Sequence, residues 1–298
     1  MEVKIVYNMK RRYLTICMYL LPSLVFLAIF TYYPIFDAFR LSFYKANPFT
    51  VEPVFQGLKN YIDFFHNPIF WQVVTNNVLF AIATIVPTMA LALFFAILIN
   101  EVKVKSPFRL SLFYPLLIPY AAAAMVWVFM FDPALGPINT FLGLFGVRSI
   151  GWLGDRRYSL LAIMLMTMWK NLGYYMLIYL AGLQSVPAEL YDAAKVDGAN
   201  WFLQHRHVTL PLIGPSTLFV FVVSIIQSFK VFTQIYLMTE GGPGYSSSVL
   251  IYYTYEYGFK FWQLGRASTL TSIMILILMF LILTVFRVFG RRVTYQAG

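Results

Sequence analysis

Polar side chains capable of ligand chemistry gather in two otherwise apolar stretches of this 298-residue chain. One stretch holds Thr167, Trp169, Lys170, Asn171, Tyr174 and Tyr175, and the other holds Ser224, Gln227, Ser228, Lys230, Thr233 and Gln234. Such groups are costly in hydrocarbon unless they face a cavity or a partner. Lys170, Asn171 and Tyr174 stand at i, i+1 and i+4, while Gln227, Ser228, Lys230 and Gln234 share a broad helical face through steps of three and four. Amides and hydroxyls beside an aromatic ring suit a carbohydrate, which offers many hydroxyls and one apolar face. The same Ser, Gln and Asn also serve simply to bond neighbouring helices. Lys170 and Lys230 stand apart because no Asp or Glu falls within the apolar stretches to pair with them. An anionic ligand such as a uronate oligosaccharide would answer their charge, as would snorkelling to an interface.

Other chemistries are excluded by pattern. No nucleophile stands with a base, and no His-Glu-x-x-His pair occurs, so no intramembrane enzyme is expected and no catalytic residue is assigned. His66, His205 and His207 lack ligand spacing, so no metal is expected. Cys17 is the sole cysteine; it lies in an apolar run and is expected as a buried, inert thiol. The dipeptide Gly-Lys does not occur, so the loop that cradles nucleotide phosphates is missing. Ion-coupled secondary transport, the alternative reading, calls for carboxylates inside the spans, and these are absent.

Composition dictates the elements that must position these groups. With 60% hydrophobic, 19% aromatic and 11% charged residues and a mean hydropathy of +0.71, too few polar side chains remain to cover a soluble core. The expectation is an all-α integral membrane protein, a single polytopic domain over 1–298. About six spans are predicted, at 13–36, 73–99, 110–131, 160–183, 212–238 and 267–289. The first follows Lys10-Arg11-Arg12 but is too long for a signal peptide and is read as a retained helix. Prolines at 22, 87, 115, 119 and 215 interrupt the spans, which favours a packed bundle around a pathway. With residues 1–12 and the C-terminus in the cytoplasm, twelve Lys and Arg face five Asp and Glu on the inner side. Eight face seven outside. That asymmetry follows the positive-inside rule, so the net charge of +10 is a topology signal and no nucleic acid is expected as partner.

The same topology puts 186–210 in the cytoplasm. Residues 186–215, VPAELYDAAKVDGANWFLQHRHVTLPLIGP, form a polar, roughly one-helix insertion. Pro187 near the start and Glu189 in the first turn favour a helix there, and Gly198 can adopt the left-handed conformation that ends it. Asp192-Ala193-Ala194, Asp197-Gly198-Ala199 and the downstream Leu210-Pro211 resemble the EAA loop of ABC importer permeases, with Asp192 where the opening acid is usually Glu. PSLVFLAIFTYYP at 22–34, Gly57-Leu58-Lys59-Asn60-Tyr61, and Met238-Thr239-Glu240-Gly241-Gly242-Pro243 resemble the carbohydrate-uptake branch of these permeases, which includes the maltose importer.

The resemblance implies a type I importer permease bundle with its core over 73–290 and a multi-pass location in the bacterial inner (plasma) membrane. It implies a second homologous permease, two ATPase subunits that bind ATP and Mg, and an extracytoplasmic solute-binding protein, with no cofactor in this chain. Glu189, Asp192, Ala193, Ala194, Asp197 and Gly198 would couple the ATPases to the spans. Asn171, Tyr174, Ser224, Gln227 and Ser228 resemble sugar-contacting positions, and Lys170 and Lys230 flank them in the substrate pathway or meet an acidic residue of the second permease. The outer segment from Gly241 to Gly265, rich in Gly, Tyr and Trp, is expected as an interfacial aromatic belt or a loop docking the binding protein.

Overall fold

The computed structural model describes residues 2–49, 52–102 and 106–290. Among the described residues, four helices are long and apolar enough to cross a membrane: Thr15–Leu41, Pro68–Glu101, Ser159–Gln184 and Leu264–Phe289. With each of two bent pairs counted as one span, the number is six. Ser106–Leu117 meets Tyr120–Met130 at 99°, and Trp201–Leu212 meets Gly214–Phe229 at 69°. In chain order these are spans one to six, span five being Gly214–Phe229.

The breaks have local causes. Pro119 cannot donate into the helix before it and caps the helix after it. Pro215 sits in the first turn of span five, where its missing N–H costs nothing. Pro87, by contrast, lies inside unbroken span two. Span five was expected to run to residue 238, but it stops at Phe229 and a separate short helix follows at Thr233–Met238. The 34 residues of span two extend roughly 50 Å at 1.5 Å per residue, more than a bilayer core needs. Its Glu101 end is thereby carried out to the polar connector.

The described chain falls into two compact units. The first runs through residue 64 and includes Glu256–Ser272; the second comprises Phe65–Tyr255 and the rest of span six from Ile273. In the first unit, Tyr44–Lys45 and Val54–Phe55 form an antiparallel hairpin with Tyr44 opposite Phe55. Asn60 Nδ2 donates to the Ser42 and Tyr44 carbonyls at 2.9 and 3.0 Å, tying the helix Lys59–Phe65 to the hairpin. None of span one's apolar window is buried among the described residues, and Cys17 is exposed. The expected buried thiol is thereby corrected, since the apolarity of a run does not by itself bring it into a core.

In the second unit, Phe80, Phe131, Trp152, Met166, Ile235 and Tyr252 pack in one core. Ala92, Ala96, Tyr175, Met176, Tyr179 and Ile213 pack in another. Gly173 lets span four touch span three, because a Cβ there would run into the backbone of Leu112 and Phe113.

The segment after Gly242-Pro243 corrects a further expectation. Ser247 and Ser248 are buried, as are Tyr252 and Tyr253. Asn76 Nδ2 on span two donates to the carbonyls of Tyr245 and Ser248 at 2.7 and 2.9 Å, and Ser159 and Ser246 hydroxyls meet at 2.8 Å. These tyrosines therefore belong to the core, since the serine-rich turn gives its backbone polar groups partners inside the fold. Phe259, Phe261 and Trp262 keep the exposure expected of a belt.

Candidate functional site

Three spans contribute i, i+4 stripes to one polar cleft. Span two supplies Phe80, Thr84 and Thr88, with Ile85 alongside; span four supplies Thr167, Asn171 and Tyr175; span five supplies Ser224, Gln227 and Ser228. The hydroxyls are oriented by their own helices. Thr84 donates to the Phe80 carbonyl at 2.6 Å, Thr167 to Ile163 at 2.8 Å, Ser224 to Phe221 at 2.8 Å and Ser228 to Ile225 at 2.8 Å. With their protons engaged, these oxygens retain lone pairs and act as acceptors. The amides complement them. Asn171 Oδ1 accepts from the Tyr120 hydroxyl at 2.9 Å, leaving its NH2 group as donor, while Gln227 is exposed. A lining that alternates acceptor oxygens with amide donors, between the rings of Phe80 and Tyr175, matches a polyhydroxylated ring. The cleft is pinched to about 10 Å3 here, so a ligand of that kind requires the spans to part.

Of the seven pathway residues expected, Asn171, Ser224, Gln227 and Ser228 line this cleft and three do not. Tyr174 is one position off: it packs on Tyr175 with centroids 5.7 Å apart, and Tyr175 is the ring at the cleft. The i, i+4 register from Thr167 through Asn171 to Tyr175 carries that signal in the sequence. The span-two hydroxyls were missed because a threonine in a long apolar helix is no rarer than one in a core.

Lys170 is corrected more sharply. It is 1% exposed, and its ammonium donates to the carbonyls of Pro115 at 2.9 Å, Leu116 at 3.4 Å and Ile118, with the Tyr120 ring 4.5 Å away. These carbonyls end the first half of span three, where the break at Pro119 interrupts the helical ladder and Pro115 keeps only a bond from Ile118 N–H at 3.3 Å. The cation thus stands at the negative end of a helix dipole and needs no anionic ligand. Lys230 differs again. It caps the C-terminus of span five, is exposed, and lies outside the cleft lining.

The polar connector is two helices, not one. Ala188–Val196 follows Pro187 and carries Glu189 in its first turn. It closes at Gly198, whose φ is +80°, with Gly198 N–H donating to the Lys195 carbonyl at 3.0 Å and Ala199 N–H to Ala194 at 2.9 Å. This is a Schellman end. Glu189, Asp192, Ala193, Asp197 and Gly198 are exposed and Ala194 is half-buried, with Asp192 paired to Lys195 at 3.0 Å. The second helix starts at Trp201, capped by the Asn200 side chain on Leu203 N–H at 2.9 Å, and leads directly into span five.

A cluster unremarked in the sequence fastens this connector. Glu101 Oε1 accepts from the Trp201 indole at 2.7 Å and lies 3.2 Å from His205 Nε2. His205 Nδ1 is 2.7 Å from the Thr209 hydroxyl, which is 2.9 Å from the Tyr191 hydroxyl on the first connector helix. The end of span two, both connector helices and the approach to span five therefore share one hydrogen-bonded chain. Among the described residues no group of His, Cys, Asp and Glu is arranged to hold a metal.

Apolar spans around a polar cleft, joined by an exposed helical connector, define a multi-pass membrane protein with a solute pathway. Over residues 77–295 the chain matches the model of the binding-protein-dependent transport system inner membrane component, and it belongs to that family. It is 35% identical over 265 residues to the probable ABC transporter permease protein YurN of Bacillus subtilis (strain 168), covering 87% of this chain and 90% of that one. It is 32% identical over 262 residues to the trehalose/maltose transport system permease protein MalF of Thermococcus litoralis, covering 86% and 88%. The fold is similar to that of a chain in the crystal structure of a bacterial ABC transporter importing the acidic polysaccharide alginate. That match has a TM-score of 0.84 at 22% identity and covers 98% of this chain and all of that one.

Proposed function

We propose that this chain is the permease half of an ATP-driven importer that passes a sugar or oligosaccharide from a binding protein into the cytoplasm. The observation that carries the reading is the three-span cleft of Thr84, Thr88, Thr167, Asn171, Ser224, Gln227 and Ser228, an uncharged polyol-complementary lining. Family membership and the trehalose/maltose relative support it. The neutral lining favours an uncharged saccharide over a uronate, because the buried cation that argued for an acid is spent on carbonyls.

In this reading a second permease completes the pathway, and two ATPase subunits receive Ala188–Val196 with its Ala193-Ala194 pair. ATP and Mg reside in those subunits. The basic bias supports a cytoplasmic location for both termini and the connector. Closure of the ATPases on the connector would move it as a rigid body, and the chain of contacts from Tyr191 through His205 to Glu101 would pass that movement to span two, which carries Thr84 and Thr88.

Uptake of labelled saccharides by sealed vesicles holding the assembled transporter tests the proposal. Transport should follow internal ATP and ignore ion gradients, and Gln227→Leu should abolish it while leaving assembly intact. Uptake driven by a sodium or proton gradient without ATP would refute the importer reading. Full uptake in the Gln227 variant would remove the cleft from the pathway.

A further inference from the structure

The first compact unit contains a second, larger polar cavity with no place in the translocation scheme. It measures about 560 Å3, and its walls include Lys45, Phe49, Gln56, Lys59, Trp262 and Gln263. Arg266 also lines it but is engaged by Asp63 at 3.2 Å. Lys45 and Lys59 are exposed, with no carboxylate partner among the described residues, so the cavity presents two uncommitted ammonium groups. Trp262 is held at φ +57°, a conformation a bulky L-residue rarely adopts. That strained turn places its indole edge-on to Phe49, with centroids 5.7 Å apart. A strained aromatic fixed at a cavity wall marks a site where the surroundings hold a side chain for use.

The cavity's position identifies the ligand. It lies where span one ends at Leu41 and span six begins at Leu264, so both helices leave hydrocarbon beside it. In a multi-pass membrane protein that is headgroup depth, where ammonium groups and an indole meet lipid phosphates. Approaching the same end, span one exposes Phe30, Tyr33 and Phe36 at 63, 66 and 71%, an apolar flank against which acyl chains can lie. We infer that this cavity binds the headgroup of an anionic phospholipid, with Lys45 and Lys59 on the phosphate, the Gln56 and Gln263 amides on headgroup hydroxyls, and Trp262 covering the glycerol backbone.

Native mass spectrometry of the purified full-length chain, equilibrated with phosphatidylglycerol and phosphatidylcholine of matched acyl chains, tests the inference. The parent should retain phosphatidylglycerol in preference. Lys45→Gln with Lys59→Gln should reduce that preference by about tenfold or more, since each basic group at a charged surface contributes a factor of about five. Lys45→Arg with Lys59→Arg should keep it. Trp262→Gly, which relaxes the backbone and removes the indole, should lower retention of the anionic lipid without unfolding the chain. Equal retention of the two lipids by the parent, or an unchanged preference in the double Gln variant, would overturn the assignment. Displacement of the lipid by equimolar glycerol 1-phosphate would also overturn it, assigning the cavity to a soluble phosphate ester.

Discussion

Replacing Gly198 with Val tests whether the end of the first connector helix matters for transport. The backbone sits at φ +80°, and a Cβ added there meets nothing within 4 Å, so a substitution introduces no clash. Its whole cost is conformational: about 1–2 kcal/mol for an L-residue in the left-handed region, towards the upper end for a β-branched one. That is enough to shift the population of the capped geometry by a factor of roughly 5–30. The two closing bonds, from Gly198 to Lys195 and from Ala199 to Ala194, would then open together. Because the site is exposed, global stability and membrane insertion should be unaltered. Substrate-stimulated ATPase activity and uptake by the reconstituted transporter should fall several-fold, and Gly198→Asn, which tolerates the left-handed region, should lie near the parent. A Val variant with parental uptake and ATPase stimulation would show that this cap does not position the coupling helix.

Three further outcomes follow from particular contacts. Lys170→Met should lower thermal stability in detergent whatever the substrate, by about 1–3 kcal/mol for the Ile118 carbonyl left without its donor, whereas Lys230→Met should not; equal melting of the Lys170 variant and the parent would refute its capping role. Glu101→Ala should weaken coupling, leaving ATP hydrolysis while uptake drops, and Glu101→Gln should retain more uptake because an amide oxygen still accepts from Trp201; identical uptake in both variants and the parent would exclude the latch. Burial raises the Glu256 carboxyl pKa, with Lys260 at 3.4 Å opposing, so the folded state holds that proton more tightly than the unfolded chain. Stability should therefore decline as pH rises from the ordinary carboxylate range through the raised value, and Glu256→Gln should flatten that decline, read as melting temperature against pH.

Elements that depend on local or compositional physics were legible in the chain alone. The apolar runs had to become membrane helices, because no polar surface remains to solubilise them. Pro187, Glu189 and Gly198 had to frame a helix, because each acts through its own backbone or the nearest helix end. Asn171, Ser224, Gln227 and Ser228 could be found as polar residues at helical spacing in apolar surroundings. Tertiary structure decided what those groups meet. Lys170 looked unpaired because its partners are main-chain carbonyls, freed by a break near Pro119, and carbonyls leave no trace in residue types. Tyr252 and Tyr253 looked interfacial because burial depends on where a serine-rich turn folds back, with Asn76, 169 residues from Tyr245, supplying the anchor. Glu101 and His205 stand 104 positions apart and became neighbours only because span two overshoots the membrane thickness and returns its end to the connector. Period and propensity act over a few residues, so the sequence determined the elements, and packing between distant segments determined which polar groups share the cleft.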